Sequence, residues 1–374
     1  METTTQSATI ITTPDKISTT HDKHYLSSIS ALKKEIKARG LYKKDTKIVL
    51  LHLCLHLIFT TAGIVLFIVS PNLWVTLAAT VFLLVGLLGV GTHTHNSAHY
   101  ASTNSKRLDD FLAYFGNVVI MGFSINYWQY KHNIVHHKNP NIVGLDNDFD
   151  FAPIFSVIKS EKENTPGLHG FYYRYLQGII FPIAIGFLAF DIQRQGFEYL
   201  IGKMRNDRTN IRYWLDLGCH FLHVLLWIGL PSVWFDISDV LLFYLLRNML
   251  LSYALFFTLG ASHLVPEAVF ATNDQSSADF FLKQTATTIN IRTNWYGRFL
   301  MSGLDYQIDH HLFVGVCYTK LPELSKLVKE YCDVNGYAHT TLGMLPAWIS
   351  VISVFYNPKP VINDLELSRP EPKV

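Results

Sequence analysis

Three short histidine clusters are the chemically richest feature of the sequence: His95-Asn-Ser-Ala-His99, His132-Asn-Ile-Val-His136-His137 and Gln307-Ile-Asp-His310-His311. On a helix, residues four apart lie on one face a turn apart, so each HxxxH pair can offer two imidazoles to one ion or to two adjacent ions. Imidazole suits iron, zinc and copper. Many neutral imidazoles around divalent ions leave a strongly cationic centre, which calls for enclosure and for hydrogen bonds that orient the rings. A lone HxxxH is more often a pair of interfacial histidines. Three clusters, each following an apolar stretch, point to metal. The four cysteines (Cys54, Cys219, Cys317, Cys332) are scattered and form no CxxC pair, so neither a disulfide framework nor a thiolate site is indicated.

The elements that must position these clusters are apolar. Residues 48–69 and 73–91 are uncharged runs, each near the ~20 residues that cross ~30 Å of hydrocarbon. Only Ser70, Pro71 and Asn72 join them, whereas Lys33, Lys34, Lys37, Arg39, Lys43, Lys44 and Lys47 precede the first. By the positive-inside rule both ends of this hairpin face the cytosol. A second hairpin is read at residues 217–235 and 240–262, preceded by Arg194, Lys203, Arg205, Arg208 and Arg212, with its ends again cytosolic. Residues 111–123 are too short to span, and residues 172–190, with three tyrosines, Arg174 and Pro182, suit the headgroup region as an interfacial or re-entrant segment. Parity agrees: one further crossing would put the first two histidine clusters and the third on opposite sides of the membrane.

The expected fold is therefore an all-α integral membrane protein, with four transmembrane helices in two hairpins, interfacial helices and a cytosolic histidine-rich cap. It divides into a polar, basic cytosolic N-terminal segment (1–45), a membrane domain (46–345) and a C-terminal tail (346–374), both termini being cytosolic. The first ~45 residues lack the apolar core of a secretory signal. Residues 321–331 read as a surface helix, and the Pro-rich, charged end from Asn357 is expected to be disordered. Of 374 residues, 49% are apolar and 16% charged, a balance that suggests lipid surroundings. A net charge of +2 sets nucleic acid aside as a partner.

The pattern HxxxH, HxxxHH, QxxHH is similar to that of membrane fatty acid desaturases. Gln307, in place of the first histidine of the third cluster, resembles the front-end branch, which desaturates between an existing double bond and the carboxyl end. Two stretches carry the likeness further: Gly122 through Trp128 and His132 to Asn139-Pro140-Asn141 and Gly144-Leu-Asp146, and Asn294-Trp295 through Gly303-Leu-Asp305-Tyr-Gln307 to His311-Leu-Phe313. The resemblance runs from about Lys47 to Cys332. It implies two non-haem Fe ions held by His95, His99, His132, His136, His137, His310 and His311, with Gln307 as a weaker oxygen ligand and His263 as a ligand supplied after the last span. It also implies O2-dependent desaturation of a fatty acyl lipid or acyl thioester in the lipid bilayer, using an external reductant. Asp146 and Asp150 are placed to hydrogen-bond imidazole N–H groups. Two residues depart from the family pattern: Asn96 stands where Asp is usual, and Val314 where Pro commonly follows Leu-Phe. The sequence has no His-Pro-Gly-Gly haem motif of a fused cytochrome b5 domain, so the expected electron donor is a separate ferredoxin or cytochrome b5 system.

Other readings stay open at this level. A hydroxylase or acetylenase could use the same scaffold. His52, His56, His220 and His223, inside apolar runs, could clamp a haem in a membrane electron carrier, although interhelical hydrogen bonding is the simpler role. A zinc-dependent membrane hydrolase is a third alternative. Arg247 and Asn248 are expected to pair with Asp216 or to line a tunnel. His93, two residues before His95, points to another face and is left out of the set, while His21, His24, His169 and His339 read as loop residues.

Overall fold

Long apolar helices set the frame of the computed structural model, which describes residues 28–148 and 150–370; His21 and His24 lie outside that range. Helix α1 (Ile29–Ala38) precedes the hairpin of α2 (Thr46–Ile68) and α3 (Leu73–Ala98). Small residues let that pair close: a Cβ on Gly86 would fall 2.3 Å from the Thr60 hydroxyl, and one on Gly89 would fall 2.0 Å from the His56 ring. Helices α4 (Lys106–Ile120) and α5 (Ile125–His136) meet at a 113° bend. The bend turns on Gly122, whose φ of +79° suits only glycine and whose absent side chain leaves room for Gln193 and His223, each 2.8 Å from where a Cβ would sit.

Next come α6 (Gly167–Asn206), α7 (Ile211–Val233) and α8 (Ile237–Ser262). With α2 and α3 they make five helices among the described residues that are long and apolar enough to cross a membrane, one more than the four expected. The added candidate, α6, contains the segment expected at the interface. Its winding is interrupted by π turns at Tyr172–Leu176 and a 3₁₀ turn at Ile185–Phe187, and Pro182 lies between them.

The cap is built from short helices: α9 (Phe280–Thr287), α10 (Trp295–Met301), α11 (Gln307–Leu312), α12 (Leu321–Asn335) and α13 (Met344–Ser353). Two parallel strand pairs staple it. Strand β1 (Phe270–Ala271) pairs with β4 (Val361–Ile362), and β2 (Asn290–Arg292) pairs with β3 (Thr341–Gly343). The amphipathic α12 buries Leu324 and Val328 against Leu32 and Ile36 of α1, so the N-terminal helix is part of the cap's core.

Two expectations are corrected. The chain from Asn357 is ordered as far as Pro370: Lys359 exchanges backbone hydrogen bonds with Val157 and Lys159 (2.9 and 2.8 Å), and β4 completes a strand pair. Just before it, Phe355 stacks on Phe181 at 3.7 Å, and a few such apolar anchors are enough to fix a Pro-rich segment. Arg247 does not pair with Asp216. It donates to the Ile120 carbonyl and, at 2.9 Å, to Asn248 Oδ1, and lies 4.1 Å over Trp227, while Asp216 accepts from Ser124 and Asn126 at 2.7 and 2.8 Å. Arg247 thereby ties α8 to the bend that delivers the second histidine cluster.

Candidate metal centre

Four separate stretches of chain bring the histidines together. The last turn of α3 presents His95 and, at its end, His99. The second cluster lies on α5, whose last two turns (Gln129–His136) wind as a π-helix, with the His137 N–H bonded to the His132 carbonyl at 3.0 Å. Bonding from i to i+5 brings residues five apart toward one face. His132 and His137 therefore point the same way, and His136 points elsewhere. The third cluster is α11, reached through a left-handed turn at Ser302 and Gly303 (φ 45° and 91°) that packs against Tyr318 and Leu321. His263 directly follows α8, whose last turn, Gly260–Ser262, is 3₁₀.

The rings form two subsites. His95, His99, His132, His137 and His310 each place one nitrogen within 4.8 Å of the others, and His136, His263 and His311 do the same. All nine predicted residues converge here, none more than 8% exposed. The Gln307 amide bridges into the second subsite, 3.2 Å from His263 Nε2 and 3.4 Å from His311 Nε2. Its Oε1 has no hydrogen-bond partner, and turning the amide over would aim that oxygen at the same two rings.

This donor set fits a metal. His95 Nε2 lies 2.9 Å from His132 Nε2, and His99 Nε2 lies 3.2 Å from His137 Nε2. Two such rings can share one N–H···N bond, but five nitrogens converging on one point cannot all be paired that way and make good joint ligands. Burial, then repulsion by neighbouring rings, holds His99, His137, His263 and His311 well below the ordinary histidine range and His310 down to about 3. All five are neutral, the form that binds a cation.

Three of the rings have their outward nitrogens anchored. His136 Nδ1 meets Asp146 Oδ2 at 2.8 Å, His132 Nδ1 meets Asp148 Oδ2 at 3.2 Å, and His311 Nδ1 meets Gln284 Oε1 at 2.9 Å. Each contact fixes a tautomer with the proton outward and the lone pair inward. Burial alone would raise the Asp148 carboxyl, but Lys131 and the His136 and His132 rings outweigh it and hold it below the usual range. The expectation for Asp146 agrees with this geometry. Asp150 is corrected: its carboxylate accepts the Ala152 N–H at 3.0 Å, and Asp148 takes the supporting role. The unusual Asn96 donates to the Ser302 and Thr92 carbonyls at 2.8 and 2.9 Å, tying α3 to the turn before the third cluster.

Sequence reasoning missed His339. It is no free loop residue: its Nε2 lies 3.3 Å from Asp309 Oδ1, and Asn290 donates to the other Asp309 oxygen at 2.8 Å, bracing α11 from behind. The membrane histidines are held differently. His56 faces the Phe299 carbonyl at 3.2 Å, and His223 lies between the Val119 carbonyl and the Tyr244 hydroxyl at 3.0 and 2.8 Å. Among the described residues no ring contact joins His52 and His56 to His220 and His223.

A cavity of about 130 Å³ runs up to His132, His136, His263 and Gln307, walled by Ile192, Leu255 and Leu259. Fold and site together define a multi-pass helical membrane protein with a buried polyhistidine centre beside an apolar cavity. The sequence pattern of the fatty acid desaturase family matches residues 71–343, and the chain belongs to that family. It is 26% identical over 255 residues to the sn-1 linoleoyl-lipid 6-desaturase of Synechocystis sp., covering 65% of this chain and 68% of that protein. It is 26% identical over 257 residues to a Delta(5) fatty acid desaturase of Caenorhabditis elegans, covering 66% of this chain and only 56% of that one. A Delta(8)-fatty-acid desaturase of Arabidopsis thaliana is 25% identical over 361 residues, with 89% and 76% covered.

Proposed function

We propose that the protein is an O2-dependent fatty acyl desaturase of the front-end type, with two non-haem irons held by His95, His99, His132, His136, His137, His263, Gln307, His310 and His311. The observation that carries this reading is the convergence of those side chains into two adjacent buried subsites, with the outward nitrogens of His132, His136 and His311 anchored. When bound, the irons would supply the oxidising power, drawn from dioxygen and two external electrons, that an unactivated C–H bond demands. The chain's own residues do the rest. Asp146, Asp148 and Gln284 orient the rings, while Ile192, Leu255 and Leu259 hold the acyl chain and keep water from its methylenes. Removing two hydrogens from adjacent carbons, with two electrons and two protons added, converts O2 to two waters. The electrons come from a separate ferredoxin or cytochrome b5 system.

The same convergence supports a four-span topology, and the basic residues before α2 and α7 support a cytosolic site. His99 and His137 share a site with residues that follow α8, so the chain between crosses the bilayer an even number of times. Helices α7 and α8 supply two crossings. On this reading helix α6 and the bent α4–α5 pair return to the side they left, which gives four spans. Expression in a host with a compatible donor, followed by fatty-acid profiling, tests the reading: a new double bond is expected, lost in His310→Ala. Retention of oxygen in the product would assign a hydroxylase instead.

A further inference from the structure

The second subsite draws its rings from three segments that are far apart in the chain: His136 at the end of α5, His263 after α8 and His311 on α11. One buried residue outside the ligand set is bonded to the support of all three. Asn141, in the loop after α5, is 3% exposed. Its side-chain amide donates to three backbone carbonyls, those of His263 at 2.9 Å, Thr287 at 3.1 Å and Val269 at 3.2 Å. Two N–H groups serve three acceptors, so one N–H is shared, and the carbonyls fix the amide with its nitrogen toward them.

The backbone of the same residue makes the other connection. Asn141 has a φ of +54°, in the left-handed region that Asn enters more readily than most residues with a side chain. Its N–H donates to Asp146 Oδ2 at 2.8 Å, the same oxygen that meets His136 Nδ1 at 2.8 Å. A carboxylate oxygen held from two directions keeps its place, and the ring it anchors keeps its orientation. Thr287 ends α9, and one turn earlier on that helix Gln284 meets His311 Nδ1 at 2.9 Å. Asn141 is thus linked to His136 through Asp146, to His263 through that residue's own carbonyl, and to His311 through α9. Among the described residues no hydrogen bond joins it to α3, which brings His95 and His99 to the first subsite.

We infer that Asn141 is the positioning residue of the second subsite: it binds no metal itself, sets the relative placement of His136, His263 and His311, and governs the hold on one iron of the pair more than on the other. This rests on the two-iron reading and deepens it.

The test compares the wild type, Asn141→Gly, Asn141→Asp and Gln177→Ala, each as the full chain purified with iron, by titrating a chelator and counting the iron released per chain. Glycine accepts the same φ and keeps the N–H to Asp146, so Asn141→Gly removes only the three side-chain bonds. Asn141→Asp keeps the size and sets a carboxylate against three carbonyls. Gln177 is the control for loss of a buried amide: its Nε2 donates to the Ser156 and Phe355 carbonyls at 3.0 and 2.9 Å, away from the ligand-bearing helices. Release in two steps is expected from both Asn141 variants, one iron leaving at about 10- to 100-fold lower chelator and the other as in the wild type, with Gln177→Ala moving neither. In a His311→Ala background, where that subsite is already broken, Asn141→Gly should cost nothing further. Parallel loss of both irons, failure of both Asn141 variants to fold, retention of both irons at wild-type affinity, the same two-step release in Gln177→Ala, or an additive loss with His311→Ala overturns the inference and leaves the two-iron reading standing. A wild type that holds no iron overturns both.

Discussion

Histidines in the cap and histidines in the membrane are alike in burial and differ in what they face. In the cap, ring faces ring: His95 and His132 bring their Nε2 atoms to 2.9 Å, and the outward nitrogens of His132 and His136 go to carboxylates. Within the spans, ring faces backbone or hydroxyl, as with His56 at the Phe299 carbonyl, His223 at Val119 and Tyr244, and His93 at Ser302 (2.7 Å). These partners take one nitrogen each of His56 and His93 and both nitrogens of His223. Rings that converge nitrogen on nitrogen are satisfied by a cation. Spacing in the sequence is similar in the two regions, so the difference lies in the partners.

Substitutions can break that contrast, and the largest effect belongs to the cap. Replacing His132 or His310 with alanine should abolish desaturation and release at least one iron per chain, read by fatty-acid profiling and metal analysis of the purified protein. Retention of both irons would remove that residue from the ligand set. Asp146→Asn keeps the shape but weakens the anchor on His136, and is expected to lower iron affinity by about 10- to 100-fold, measured by chelator competition. A smaller loss is expected from His339→Ala, which unbraces α11 through Asp309: activity falls by less than tenfold, and His339→Gln restores part of it. The least effect is predicted for His56→Phe, which fills the same space beside Phe299 and gives up one hydrogen bond worth about 0.6 kcal/mol in a membrane interior. Both irons and most activity should remain, with a slightly lowered melting temperature. Loss of iron in this variant would erase the distinction between the two regions.

The histidines that converge in the cap were legible in part from residue type and i, i+4 spacing, while His263 and Gln307 came from the family resemblance. The division of the second cluster between subsites was not, since the π winding of Gln129–His136 arises from packing at the bend and leaves no signature in spacing. Asp148 and Asp150 are equally plausible supports in sequence, and only the path of the loop after α5 brings the first to His132. His339 is distant from Asp309 along the chain, and its role depends on the β2 and β3 pairing that brings the two segments together. The apolar runs gave the two hairpins. The same composition rule admits α6 as a further candidate, because hydropathy measures affinity for hydrocarbon and is blind to where a helix lies. The ordered C-terminal segment escaped notice because its anchors, Phe355 and the β4 pair, are few amid prolines and charges.

Metal analysis of the purified full chain, with absorption spectroscopy on the same sample, bears most directly on the central claim. Two irons per chain, no haem band, and loss of iron in His136→Ala are predicted. A protein that holds no iron, or that binds a single zinc and keeps its activity without oxygen and reductant, would contradict it.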